Sequence, residues 1–558
     1  MSMPRKTLRR AVVAALAAVV ALVPAPALAE IPPDHAEDHN TAFTNSDGDL
    51  WASCESDDGA LYAANGDGTG FDLGHSFDPK TEDIVVNRIV GTPYLTPSRT
   101  GLTGRVVTRG GNQAGTPGTS VGRVWSDIRH YNRKPTGMLC VDRTLYLAVQ
   151  DLRRDFSAAP AATILRSTDH GRTWHWDDSE PMFGVRDLSD PPSNPKAAFT
   201  TIFFLDYGRD SVNAPDPGVV YAYGLDDNWA GRSQLHLARI PKNSIQDRST
   251  WQWSNGPGTW TAPGDLQGRV PVINDDSLPP GHISQGSVVY DKPLNRYLYS
   301  SWNEEFWVFY EAPTPWGPWT RLMTKNFLTK CFDRGRARWN AGYHGGYATT
   351  IPSKYISSDG RTMWVQSNVF FTDDQCPSPE PKNLGSYSFA LRKLWLTTPD
   401  NLVRDPGFEG QRQFNFFGLP APLGPVEAPW TTEGPDVKGI DVGTALPRQG
   451  TKNAWIHPAN QQTRAWNAIT QDVPVRQHTR YVLTGYVQTS ANLTEGYFGV
   501  RAGQNVISET KFGPLGPYTR LSVTFDSGAN DKVKLFTGYW APGQDSWLRL
   551  DDTAIAPA

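Results

Sequence analysis

The sequence predicts an all-β protein, a β-propeller followed by a second β-domain, and three observations carry that prediction. Strand-like runs alternate with turn clusters along nearly the whole chain after its N-terminal segment, and no long amphipathic helix interrupts them. The pieces recur in one order: a strand, a turn of D-G or N-R type, then a strand rich in Tyr and Trp. The style of the chain changes once, at Thr397-Thr398-Pro399-Asp400.

Arg5, Lys6, Arg9 and Arg10 form a basic start, Ala11 to Val23 is a short apolar run, and Ala27-Leu28-Ala29 reads as a small-x-small cleavage site. Residues 1–29 are therefore expected to be a signal peptide, with Glu30 opening a secreted mature chain. The apolar run is too short for a membrane span, and no later segment is long and apolar enough to cross a bilayer. No Cys follows the cleavage site to take a lipid, and Arg9-Arg10 also permits twin-arginine export. Four cysteines, Cys54, Cys140, Cys331 and Cys376, suit export. Their wide spacing favours disulfides over a zinc site, with three connectivities open and a free buried thiol as the alternative.

Residues 30–398 supply the propeller. Its short strands include Thr144 to Gln150, Val219 to Tyr223, Arg296 to Trp302 and Thr362 to Gln366, each bounded by Gly, Asp, Asn or Pro. Repetition is visible in V-D-R-T-L-Y-L (Val141 to Leu147), K-P-L-N-R-Y-L-Y (Lys292 to Tyr299) and S-S-D-G-R-T-M-W (Ser357 to Trp364). About 370 residues allow five to seven blades. S-T-D-H-G-R-T-W (Ser167 to Trp174) fits S-x-D-x-G-x-T-W, the Asp box of sialidase-type propellers. Its chemistry is that of a turn: Asp169 caps backbone N–H groups, Gly171 takes positive φ, and Trp174 plugs the space between blades.

Composition narrows the partners. A net charge of −4 and a pI near 6.3, with charges mixed rather than in runs, speak against a nucleic-acid or anionic-membrane surface. Twenty Trp and 20 Tyr beside 51 Gly and 45 Pro suit sheet cores, and equally suit stacking on sugar rings.

Carboxylates are densest between Ser46 and Asp72. Cleaving a glycosidic bond normally takes two carboxyls, one as acid and one as nucleophile or base. Asp49 and Asp67 flank one predicted hairpin and fall at the same end of it, with Asp57-Asp58-Gly59 as its turn. They are the candidate catalytic pair; Glu55 is an alternative acid, and Glu304, in W-N-E-E (Trp302 to Glu305), is the reserve carboxylate. Asp58 is expected to serve the turn. Candidate substrate-binding residues are Arg88, Lys134 (aimed by a Pro135-Thr136-Gly137 turn), Asp206, Arg209, His282, His344 and Trp302. No motif demands a metal or cofactor, although a structural calcium is compatible with the fold. A polysaccharide is the expected partner, and the chain is expected as a monomer.

From Asn401 the chain opens with N-L-V-R-D-P-G-F-E-G and closes with W-L-R-L-D-D-T-A-I-A-P. Those end motifs resemble carbohydrate-binding modules of the family 4/9 type, which implies a β-sandwich jelly roll over residues 401–558. Trp430, Trp455, Trp466, Tyr497 and Trp540 are then candidate sugar platforms, several of them core. In the first domain, G-A-L-Y-x-x-x-G-D-G-x-G-F (Gly59 to Phe71), N-R-I-V-G (Asn87 to Gly91), K-P-T-G-M-L-C-V-D (Lys134 to Asp142), the Asp box and A-P-T-P-W-G-P-W-T (Ala312 to Thr320) resemble the family called domain of unknown function 4185. Characterised relatives form glycoside hydrolase family 183. The resemblance implies a five-bladed propeller acting as an endo-D-arabinofuranase on mycobacterial arabinan. Those relatives carry a G-D-T-F element where this chain has Gly66-Asp67-Gly68-Thr69, so Asp67 is where resemblance and carboxylate spacing meet.

Three rivals differ in what they require. A sialidase fits poorly: Arg239-Ile240-Pro241 follows the single clear box instead of preceding it. A polysaccharide lyase needs a Tyr or His base and a cation for the uronate, for which His282, His344, Arg88 and Arg334 are available. A non-catalytic glycan-binding propeller needs no carboxylate pair.

Overall fold

A computed structural model describes residues 35–76, 83–95, 100–110, 115–184, 197–278, 281–303, 306–326, 347–368, 388–397, 401–411, 425–442, 447–457, 464–540 and 545–558. Among them, helix is confined to four single 3-10 turns; everything else regular is strand. The chain forms two compact units. The first comprises His39–Tyr355 and Trp364–Arg392; the second comprises Lys393–Ala558, Ile356–Met363 and the segment ending at Asp38. The expected signal segment, 1–29, lies outside the described residues.

In the first unit, antiparallel meanders follow one another. After β1 (His35–Phe43) come β2 (Asp47–Glu55), β3 (Leu61–Gly70), β4 (Ile84–Leu95) and β5 (Thr100–Gly110). The second meander is β6 (Tyr131–Val141), β7 (Thr144–Arg153), β8 (Ala161–Ser167) and β9 (Phe183–Gly184). The third is β10 (Thr201–Asp206), β11 (Val219–Leu225), β12 (Gln234–Pro241), β13 (Gln252–Gly256) and β14 (Thr259–Trp260), with β15 (Ile273–Asn274) on β12. The fourth is β16 (Ser287–Asp291), β17 (Arg296–Trp302), β18 (Phe306–Ala312) and β19 (Thr320–Asn326). A last sheet runs β20 (Tyr347–Thr350), β21 (Thr362–Asn368), β22 (Ala390–Leu396), with β1 added outside β22.

First strands form a closed circuit. β2 lies beside β6, β6 beside β10, β10 pairs in parallel with β16, β16 lies beside β20, and β20 beside β2. Apolar cores fill the spaces between successive sheets. One joins Tyr62, Ile84 and Trp174 to Met138 and Leu147; the next joins Ala148 and Ile164 to Phe204 and Trp253. Another joins Tyr223 and Leu237 to Tyr299 and Val308, and a fourth joins Trp51 and Leu61 to Trp364 and Leu391. Because each sheet is covered on both faces, β6 is buried along its whole length, which explains its unbroken apolar stretch Met138 to Val141.

The turn at Ser167 behaves as its residues require. Asp169 Oδ1 accepts from the backbone N–H groups of Arg172 (3.0 Å) and Thr173 (2.9 Å), Gly171 has φ 80°, and Trp174 is fully buried. Cys54 and Cys140 form a disulfide that joins β2 to β6; Cys331 and Cys376 lie outside the described residues.

The second unit contains β23 (Thr431–Glu433), β24 (Val437–Val442), β25 (Lys452–His457), β26 (Trp466–Pro474), β27 (Arg480–Thr489), β28 (Gly496–Ala502), β29 (Asn505–Phe512), β30 (Thr519–Asp526), β31 (Lys532–Trp540) and β32 (Leu548–Pro557). They form two five-stranded sheets, β23-β26-β31-β28-β29 and β24-β25-β32-β27-β30. Both contribute to one core, with Ile469, Phe498 and Leu535 from the first and Ile456, Leu483 and Leu550 from the second. The opening N-L-V-R-D-P-G-F-E motif works structurally. Asn401 Oδ1 accepts from the N–H of Val403 (3.0 Å), Phe408 enters the core, and Glu409 Oε1 accepts from the N–H groups of Thr451 (2.8 Å) and Lys452 (2.9 Å).

Candidate active site

Asp49 sits early in β2 directly opposite Gly66 of β3, and Asp67 is the next residue along. Both strands depart from regular pairing here. Between the pairs Asp47↔Gly70 and Asp49↔Gly66, β3 carries extra residues, and this bulge holds Asp67 at φ 45°. Leu50 and Trp51, just after Asp49, are also left-handed, at φ 73° and 45°. Left-handed conformations at three non-glycine residues are costly, and such strain gathers where side chains must be aimed. The buried amides of Asn65 and Asn87 brace the bulge. Asn87 Nδ2 donates to Asn65 Oδ1 (2.8 Å), and Asn65 Nδ2 donates to the carbonyl of Gly66 (3.3 Å).

Lys134 arrives from the neighbouring sheet. The sequence placed it before a rigid turn; instead Pro135-Thr136-Gly137 lies inside β6, where a bulge between Pro135 and Gly137 takes up the irregular residues. Arg133 turns to the other face of β6, and its Nε and backbone N–H both donate to the buried carboxylate of Asp83, each at 2.9 Å. That anchored pair leaves Lys134 facing β2 and β3. Its ammonium, 3% exposed as a residue, is ion-paired with Asp67. Burial pulls the Lys134 pKa down; the charges of Asp67 and then Asp49 outweigh it and hold the pKa above the ordinary lysine value. Asn132 Nδ2 reaches Asp67 Oδ1 at 3.5 Å, and Tyr347, at the start of β20, donates its hydroxyl to Asp49 Oδ2 at 3.0 Å.

Gly66 leaves the room that the two charged side chains occupy. A β-carbon there would meet Asp49 Oδ1 at 2.9 Å and Lys134 Nζ at 3.3 Å. The arrangement thus offers two carboxyls in different surroundings. Asp49 is 7% exposed and bonded to a phenol, while the side chain of Asp67 is 36% exposed and paired with a cation. Two carboxyls with one ammonium among them can divide acid and base roles.

The other predicted residues scatter. Arg88 is ion-paired with Asp58 (2.9 Å), and Arg209 Nε donates to the carbonyl of Asp57 (3.1 Å). Both belong to the hairpin end of β2, at least six residues beyond Asp49 and so roughly 20 Å away. Asp58 serves the turn, as expected, accepting from the N–H of Ala60 (3.0 Å). Glu55 is engaged by Lys354 (2.9 Å). Asp206 accepts from the N–H groups of Gly208 (2.8 Å) and Ser353 (3.1 Å), and burial pushes its pKa up. His282 is fully buried, with Nε2 2.6 Å from the hydroxyl of Tyr310 and 3.4 Å from Asp275, so it is a packing residue of its sheet. Trp302 is 2% exposed and donates from Nε1 to the carbonyl of Gln285 (2.6 Å), backing the site without lining it. Glu304, His344 and Arg334 lie outside the described residues. A cavity of about 530 Å3 opens at the hairpin end over Asp57, Arg143, Arg209 and Lys242, far from the carboxylate pair.

Sequence reasoning missed Asn65, Asn132 and Tyr347, whereas Asn87, beside Arg88, was a candidate pocket residue and braces the bulge. Asn65 was legible only as part of an N-G-D-G turn, and Tyr347 stands in a Gly-rich approach with nothing to mark it. Among the described residues, no group of three or more His, Cys, Asp or Glu side chains is arranged to hold a metal, and no helix is long and apolar enough to cross a membrane.

In the second unit, Trp430 is not a platform: it is 1% exposed, packs on Phe408 (centroids 4.6 Å) and donates to the carbonyl of Asp405 (2.9 Å). Trp455, on β25, lies on the face of its sheet away from the shared core, between the core residues Ala454 and Ile456. Trp466 and Trp540 are cross-strand partners on the outer face of the other sheet, 5.9 Å apart, with Tyr497 6.1 Å from Trp466. Trp540 is 40% exposed. These three rings form an open aromatic patch beside Arg464 and Glu495.

Fold and site define an all-β protein whose circuit of sheets gathers a carboxylate pair and a buried lysine at one end of the first strands. The family model described as "Domain of unknown function (DUF4185)" matches residues 37–365, more than half of the chain, and the protein belongs to that family. No curated protein matches it. Among solved structures, it is similar to a glycoside hydrolase family 43 arabinoxylan arabinofuranohydrolase from Bacillus subtilis, at 12% identity and TM-score 0.33, over 92% of this chain and 96% of that one. It is similar to an exo-β-1,3-galactanase from Phanerochaete chrysosporium at 11% identity and TM-score 0.33, over 92% of this chain and 100% of that one. The carbohydrate-binding module TmCBM61 aligns at 12% identity and TM-score 0.22, over 28% of this chain and 99% of that one. Likenesses this distant transfer no activity.

Proposed function

We propose that this protein is a secreted polysaccharide-degrading glycoside hydrolase, with a five-bladed propeller as its catalytic domain and a jelly-roll module that holds the glycan. The observation that carries this reading is the buried ammonium of Lys134 set against the carboxyls of Asp67 and Asp49. One carboxyl acts as acid on the leaving oxygen and the other as nucleophile or as base for water. Lys134 and Asn132 hold Asp67, and Tyr347 holds Asp49. The five meanders, closed by β1 on the last sheet, are the five blades. The resemblance to glycoside hydrolase family 183 makes D-arabinan of the mycobacterial envelope the first substrate to offer, with endo cleavage. Trp466, Tyr497 and Trp540 are the sugar platform of the module.

The test is product analysis of the purified chain on mycobacterial arabinogalactan and a panel of uronate-containing glycans, with Asp67→Asn and Asp49→Asn alongside. Arabino-oligosaccharides that fall by about a thousandfold or more in either variant support the assignment. Products from no glycan overturn it.

One observation favours a second reading. Tyr347 and Lys134 are both at the site, and a polysaccharide lyase needs a phenol or imidazole base and a cation for the uronate. Unsaturated products from a uronate glycan, persisting in Asp67→Asn, would mark that chemistry.

A further inference from the structure

We propose that Trp229 and Phe156 form a two-ring aromatic subsite, taking two consecutive neutral sugar rings of a bound glycan chain on one side of the carboxylate pair. This rests on the glycoside hydrolase reading and deepens it.

Chain direction places both rings at the correct end. β2, β6, β10, β16 and β20 all begin at the end of the circuit where Asp49, Lys134 and Tyr347 stand. In an antiparallel meander the second strand returns to that end. The loop after β7, which carries Phe156, the loop after β11, which carries Trp229, and the last residue of β17, Trp302, therefore all lie there. The rings are continuous. Phe156 is 6.0 Å from Trp229, Trp229 is 5.2 Å from Trp302 and 6.0 Å from Tyr347, and Tyr347 donates to Asp49. Trp302 is buried behind the row, whereas Trp229 and Phe156 are only half-buried.

The loops that carry them are held in place. The carbonyl of Trp229 accepts from the N–H of Gln285 (2.6 Å), its own N–H donates to Asn228 Oδ1 (2.7 Å), and Arg232 bridges Ile283. The N–H of Ala159 donates to the carbonyl of Asp227 (3.1 Å), tying the Phe156 loop to the Trp229 loop. Phe156 itself is held at φ 64°, a left-handed conformation that a phenylalanine seldom adopts. A packing role alone needs neither that strain nor half-exposed rings fixed beside a carboxylate pair. Rigid aromatic rings bind with little loss of conformational freedom, and their faces suit the apolar C–H faces of uncharged sugars. The two rings stand 6.0 Å apart with their planes at 44°, so a glycan chain that meets both turns its face between one residue and the next.

The experiment measures steady-state hydrolysis of mycobacterial arabinogalactan by the full-length chain and by Trp229→Ala, Trp229→Leu and Phe156→Ala, each checked by thermal melting. Trp229→Leu keeps part of the apolar volume against Trp302 and removes the aromatic face, so it remains informative where Trp229→Ala fails to fold. The expected result is a KM raised about tenfold in either Trp229 variant and severalfold in Phe156→Ala, with kcat lowered far less. Folded variants with wild-type KM would overturn the subsite while leaving the hydrolase assignment standing. A wild-type chain that cleaves no glycan would remove that assignment and the subsite with it.

Discussion

Lys134 on β6 is ion-paired with Asp67 on β3, across the boundary between two meanders, and 67 residues of chain separate them. Replacing the cation by an uncharged Lys134→Met side chain removes the ion pair that holds Asp67 in place. The expected outcome is a kcat/KM lowered about a hundredfold in a protein that still folds. A folded Lys134→Met protein with wild-type kcat/KM would separate Lys134 from the carboxyl pair.

Gly66 tests the same geometry without touching a charge. Its backbone φ is ordinary, so alanine is tolerated by the chain itself, but the added methyl intrudes on Asp49 Oδ1 and Lys134 Nζ. Gly66→Ala is expected to lower kcat/KM by about a hundredfold, since small displacements of catalytic groups are costly. Its melting temperature is expected to fall by only a few degrees, measured by calorimetry.

Asp151 gives a pH dependence of stability. It is 1% exposed, burial drives its pKa up to about 7, and both hydrogen bonds it accepts, from the N–H groups of Trp125 (2.9 Å) and Ser126 (2.6 Å), go to Oδ2. A folded-state pKa above the unfolded 3.8 means the folded protein holds the proton more tightly. This contribution to stability is therefore fully present below pH 4 and is lost as pH rises from about 4 to about 7, by at most about 4 kcal/mol. Asp151→Asn, which keeps an acceptor oxygen, should flatten this part of the profile and raise the melting temperature at neutral pH. Chemical denaturation at a series of pH values would read the effect.

Two tryptophans of the second unit should respond in opposite ways. Trp430→Ala opens a cavity in a closed core and is expected to cost about 3–5 kcal/mol, seen as a lowered melting transition. Trp466→Ala removes the central ring of an open patch. It should leave melting within about 1 kcal/mol and weaken retention on polysaccharide in affinity electrophoresis. Equal retention by both variants would dissociate the patch from glycan binding.

Local chemistry was legible where neighbours in sequence are neighbours in space. The Ser167–Trp174 turn, the hairpin with Asp49 and Asp67 at one end, and the turn role of Asp58 all depend on residues a few positions apart or on one pair of strands. The candidate binding residues were less legible because a polar residue in a strand looks the same whichever partner it meets. His282 met Tyr310 and Asp275, Arg88 met Asp58, and only Lys134 met the carboxylates.

By itself, the sequence determined the all-β character, the change of style near residue 397, and the carboxylate pair on one hairpin. Alternation, turn residues and spacing are properties of short chain segments. Tertiary structure alone decided that Lys134 and Tyr347 reach that pair, the latter from 298 residues away. It also decided that Trp430 is core while Trp466 is open, and that Phe156 and Trp229 line up beside Asp49. The reason is physical. Strand direction sets which end of a sheet a residue occupies, but the register and order of sheets, set by packing over the whole circuit, choose its neighbours.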